Sequence, residues 1–161
     1  MSTRGAVGII FNNEEKIGYN HFDSYPSGLG NEILTFLKGK TIEELKHIFS
    51  NIVLKDNYGN DVWNWQTHTF NTKFEDVHRF LTDSLFCEFA YLINLDSNKL
   101  EVYVGFNLNP NAPGRYAKNT IYKNEEKVYY GVKLVEELDL YDLFDGKYSI
   151  VDDKFTLITA Y

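Results

Sequence analysis

Apolar and polar positions alternate with period two over two long stretches, and each stretch predicts a β-hairpin. In the first, Thr3, Gly5, Val7, Ile9 and Phe11 share one face, and Arg4, Ala6, Gly8 and Ile10 share the other. Asn12-Asn13 is a turn signal, and residues 15–22 return with Ile17, Tyr19 and His21 on one face. The second stretch runs from Cys87 to Leu95 and turns at Asp96-Ser97-Asn98. It returns through Leu100, Val102, Val104 and Phe106.

Between the hairpins the period changes to that of a helix. Ile33, Leu34, Phe36 and Leu37 mark one helix over 31–38. Thr41-Ile42-Glu43-Glu44 has capping-box spacing, and Ile42, Leu45, Ile48, Phe49 and Ile52 follow at helical intervals. Residues 55–70, with Trp63 and Trp65, read as an irregular connection. Thr72-Lys73-Phe74-Glu75 opens a helix over 72–85. Residues 107–114 read as loop, 127–134 as a strand and 135–144 as a short acidic helix. A terminal hairpin is expected around Asp152-Asp153. The expected fold is α+β: a single domain over residues 1–161, with an antiparallel β-sheet and helices mainly on one face.

The chain has 161 residues, 43% of them hydrophobic and 16% aromatic, enough to bury a core and too apolar for disorder. Its net charge of −7 argues against nonspecific nucleic-acid binding. No apolar run approaches bilayer length, so no membrane span is expected. Cys87 is the single cysteine, which excludes an internal disulfide and a cysteine-based zinc site. A reducing cytoplasm is the expected compartment. His21, His47, His68 and His78 have no spacing that compels a metal, and no cofactor is called for.

Candidate chemistry concentrates in the stretch from Tyr19 to Gly30. If the strand continues, His21 and Asp23 share a face, as a base with its orienter, two ligands, or a surface pair. Pro26 sets a turn, and Gly28 and Gly30 permit backbone angles closed to other residues. A glycine loop entering a helix presents amides to an anion, although Glu32 already complements the helix dipole. The first hairpin brings Arg4 toward His21, where a guanidinium can take an anionic ligand. The expected ligand site is Arg4, His21, Asp23, Ser24, Tyr25, Ser27, Gly28 and Gly30. Arg115, at the end of the second loop, is either a further ligand contact or a solvated side chain.

Met1-Ser2-Thr3-Arg4-Gly5, the loop His21-Phe22-Asp23-Ser24-Tyr25-Pro26-Ser27-Gly28-Leu29-Gly30, and the hairpin Tyr91–Asp96 with Leu100–Tyr103 resemble a group of uncharacterised bacteriophage and prophage proteins. The resemblance implies a viral protein acting in the host cytoplasm, and it carries over no catalytic residue. Three functions compete. The first is binding of a small anionic or nucleotide-like ligand, such as a host defence signal. The second is hydrolysis, by Ser2 as an N-terminal nucleophile or by the His21/Asp23 pair. The third is docking on a host protein, or assembly as a homo-oligomer.

Overall fold

The computed structural model describes residues 3–55, 69–71, 80–120 and 129–158. The two expected hairpins are both present. β1 (Gly5–Phe11) pairs antiparallel with β2 (Glu14–Asn20), from Gly5 opposite Asn20 to Phe11 opposite Glu14. Asn12 and Asn13 make the turn at φ 53° and 62°, left-handed angles that asparagine tolerates. Their amides donate to the two carboxylate oxygens of Asp96, at 2.8 and 2.9 Å. Asp96 lies in the turn of the second hairpin, where β5 (Phe89–Asn94) meets β6 (Lys99–Val104).

Between these hairpins α1 (Asn31–Leu37) and α2 (Ile42–Ser50) form as the apolar periodicity requires. Thr41 caps α2: its hydroxyl oxygen accepts the Glu44 amide at 3.1 Å. Two short strands, β3 (Val53–Lys55) and β4 (Thr69–Asn71), pair in parallel at the two ends of the expected irregular connection, most of which lies outside the described residues. Trp63, Trp65 and most of the expected 72–85 helix lie outside the described residues; Phe80 and Leu81 are helical.

The hairpins join through β1 and β5, and they join in parallel, Gly5 beside Phe89 and Ile10 beside Asn94. The α+β class stands, but the five-stranded sheet, ordered β2-β1-β5-β6-β7, is mixed rather than wholly antiparallel. The second difference is β7 (Lys133–Asp139), which takes up residues expected to be helical. Only α3 (Leu140–Phe144) is helix there, capped by Asp139, whose carboxylate accepts the Tyr141 amide at 2.8 Å. The Glu-rich segment is a good helix former in isolation. Pairing with the open edge of β6, around a bulge at Val102/Tyr103, overrides that local preference. β8 (Tyr148–Val151) and β9 (Lys154–Leu157) form the terminal hairpin around Asp152-Asp153.

Both faces of the sheet are buried. On one, Val7, Ile9, Tyr91, Ile93, Leu100 and Val102 pack against α1, α2, α3 and Phe155 of β9. On the other, Ala6, Ile10, Ile17, Tyr19, Leu92 and Tyr103 pack against Phe80, Leu81, Cys87, Tyr116 and Val132. Alternation along each strand divides its residues between these layers. Helices α1, α2 and α3 thus cover one face, and among the described residues helical Phe80 and Leu81 lie on the other with Cys87, Tyr116 and Val132.

Candidate functional site

The Tyr19–Gly30 stretch does not gather its polar groups in one place. β2 ends at Asn20, and Asp23 takes a left-handed φ of 52°. That reversal carries the chain across the strand end to the helical layer. Asp23 therefore does not pair with His21; its carboxylate accepts the Tyr25 hydroxyl at 2.9 Å. Ser24 is fully buried there and lies against Gly5, where a side chain would collide with it. Its amide donates to the Thr3 carbonyl at 3.2 Å, its hydroxyl accepts from the Asn20 amide group at 2.8 Å, and its carbonyl accepts the Tyr91 hydroxyl at 2.8 Å. Ser24 fastens the loop and leaves no hydroxyl for chemistry.

The glycine loop is helical from Pro26 to Gly30, a single wide turn that runs directly into α1. Its amides are taken. Gly28 donates to the Tyr25 carbonyl at 2.9 Å and Leu29 to the Asp23 carbonyl at 2.8 Å. The Ser27 amide donates to the Asp153 carboxylate at 2.7 Å. The expected anion at this helix start is supplied by the protein itself, from the β8–β9 turn. Gly30 is buried against Phe155, so its small size serves packing.

Arg4, Tyr19 and His21 lie on the opposite face. The β1–β2 ladder ends at Gly5 beside Asn20, and Arg4 and His21 are the next residues beyond it. The Tyr19 hydroxyl and His21 Nδ1 are 2.6 Å apart. Burial raises the Tyr19 pKa, partly offset by the nearby charge of Arg4, so the phenol is neutral at pH 7. A neutral phenol both donates and accepts, so the direction of this bond follows the tautomer of His21. The Arg4 guanidinium lies 5.7 Å from the centre of the Phe86 ring. Among the described residues, no carboxylate forms an ion pair with Arg4.

Arg115 is paired with carboxylates while part of its side chain still reaches water. Its Nη2 donates to Glu101 at 2.7 Å and its Nε donates to Glu101 and to the Tyr103 hydroxyl, each at 3.2 Å. Its Nη1 lies 3.5 Å from Glu15. Glu101 is buried and also accepts from Tyr103 at 2.6 Å and from Asn94 at 2.8 Å, while Tyr116 donates to Glu15 at 3.0 Å. Every oxygen of Glu101 accepts a hydrogen bond, and the cluster ties the 107–120 segment to the sheet. Sequence reading missed it because its members are far apart in the chain and each looks like an ordinary surface charge. The one signal was Glu101 itself, a carboxylate in the middle of an apolar hairpin.

No group of three or more histidine, cysteine or acidic residues placed to hold a metal occurs among the described residues. Within those residues no helix is long and apolar enough to cross a membrane. No family model, curated protein or solved structure matches the chain.

Proposed function

We propose that the protein binds a small anionic ligand at the strand ends around Arg4, with Tyr19 and His21 beside it. The observation that carries this reading is the contrast between two arginines. Arg115 is consumed by two carboxylates, whereas Arg4 meets none among the described residues and lies on an aromatic ring. A half-buried guanidinium without a counter-ion among the described residues favours an incoming carboxylate or phosphate. The Ser24 and glycine-loop groups act as scaffold in this reading. A nucleotide-like ligand is the chemical class pursued, and a phage protein that sequesters a host defence signal is the setting implied by the resemblance. Titration calorimetry with phosphate, sugar phosphates and nucleotides tests it. At least one of these anions is expected to bind, and Arg4→Gln to weaken it about tenfold or more. A wild-type protein indifferent to the whole series would end the reading.

The Tyr19–His21 bond favours a second reading, hydrolysis, because a phenol–imidazole pair is a ready proton relay. In its N-terminal form the nucleophile is Ser2, which lies outside the described residues. Thr3 is anchored through its carbonyl to Ser24, beside Arg4. Intact-mass measurement decides this form: retention of Met1 removes it.

A further inference from the structure

Four strand ends meet at the Arg4 end of the sheet. His21 and Phe22 follow β2, Arg4 precedes β1, Phe86 and Glu88 precede β5, and Phe106 follows β6. Backbone bonds hold the ends carrying Arg4, Glu88 and Phe106 level. The Glu88 amide donates to the Arg4 carbonyl at 3.0 Å, Gly105 to the Glu88 carbonyl at 2.8 Å, and Phe106 to the Ser84 carbonyl at 2.7 Å. At a strand spacing of about 4.8 Å the row spans about 14 Å. Three of its members are large rings in water: Phe22 is 51% exposed, Phe86 47% and Phe106 56%.

Phe106 is the most informative of them. Its φ is 54°, a left-handed angle that a bulky side chain adopts at a cost. The next residue enforces that angle. Asn107 is buried, its amide donates to the Ser84 hydroxyl at 2.9 Å, and its side chain donates to the Gly131 carbonyl at 2.9 Å. Glycine would relieve the strain, yet the position carries a ring turned out to solvent. Strain spent on exposing an apolar group contributes nothing to the fold, and such outliers collect at binding sites. The Arg4 guanidinium already stacks on one ring of this row, so cation and aromatic surface are presented together.

We infer that this row, Phe22, Phe86 and Phe106 flanking Arg4, is a stacking platform. It favours anions that also carry a planar aromatic ring, the chemistry of a mononucleotide, over anions that lack one. This inference rests on the anion reading of Arg4 and adds a preference to it. The charge chooses the phosphate, and the rings choose a base over a bare sugar or an inorganic ion.

Calorimetry on the full chain with AMP and ribose 5-phosphate separates the two. In the wild type, AMP is expected to bind at least about tenfold more tightly than ribose 5-phosphate. Phe106→Gly should erase most of that difference while ribose 5-phosphate binding holds. Phe106→Gly keeps the backbone geometry, so misfolding does not confound it, and circular dichroism verifies this. Equal binding of AMP and ribose 5-phosphate by the wild type overturns the platform and leaves the anion site standing. Binding of neither overturns the anion site, and the platform with it. A concentration-dependent dimer in light scattering, dissociated by Phe106→Gly, would assign the rings to a second copy of the chain and also overturn the platform.

Discussion

The carboxylate of Asp153 accepts the backbone amide of Ser27 at 2.7 Å, across 126 positions of sequence. The contact pins the β8–β9 turn to the start of the helical loop and supplies the negative charge that loop would otherwise seek from outside. Asp153 sits at φ 61°, an angle asparagine also tolerates. Asp153→Asn should therefore cost only a few tenths of a kcal/mol, and Asp153→Ala about 1 to 2 kcal/mol, through the lost charge-assisted bond and the strained backbone. Urea denaturation of the two variants measures the difference.

Glu101 holds Arg115, Tyr103 and Asn94 in one buried arrangement. Glu101→Leu leaves the guanidinium without its closest partner and should destabilise by about 3 kcal/mol, discounted for the part of Arg115 that reaches water. Glu101→Leu with Arg115→Met should recover part of that loss. Equal stability of the single and double variants would show that the two residues are not coupled.

Burial raises the pKa of Tyr19, Tyr91, Tyr103 and Tyr116. A hydrogen bond to Glu101 adds to the effect at Tyr103, and Glu15 adds to it at Tyr116. A phenol with a folded-state pKa above its unfolded value is stabilising while neutral. Its contribution is whole below about pH 10, the unfolded value, and is lost as pH rises toward the folded pKa. Stability should therefore hold through neutral pH and fall from about pH 10 upward. Tyrosinate absorbance should report these phenols ionising together with the loss of circular dichroism rather than ahead of it.

Gly28 sits so close to the Asp23 carbonyl that any Cβ would collide with it. Gly28→Ala should cost about 2 kcal/mol or more, because backbone and not a flexible side chain must give way. Gly39 is a control for steric crowding, with no atom within 4 Å of an added Cβ, although its φ of 79° carries its own backbone cost.

Phe106→Gly should raise thermal stability, by about 1 kcal/mol, since it releases a left-handed phenylalanine whose ring is already more than half exposed. A gain in stability accompanied by weaker AMP binding would fit a ring kept for binding rather than for the fold.

Local signals carried much of this architecture. Period-two runs with asparagine and aspartate turns marked both major hairpins and the terminal one, and the Thr41 box marked the start of α2. Long-range pairing was invisible. Nothing local distinguishes β1 beside β5 in parallel from an antiparallel meander, and the strand at 133–139 exists only because β6 offers an edge. The candidate site was legible as a neighbourhood and not as a constellation. Strand register leaves Arg4 and His21 just beyond the same end of the β1–β2 ladder. A single left-handed residue, Asp23, then sends Ser24 and the glycine loop to the other layer, and sequence pattern does not report that reversal.

The parallel seam between β1 and β5 also sets an order of events at the ribosome. The first hairpin emerges complete, but β1 has no neighbour on its inner edge until residues 89–94 have been translated. Its backbone amides and carbonyls stay open through that interval, so synthesis passes through a stage in which a sticky margin awaits its match. A ribosome stalled before residue 89 should display a nascent chain that is readily cut by protease, and one stalled well past residue 104 a chain that resists.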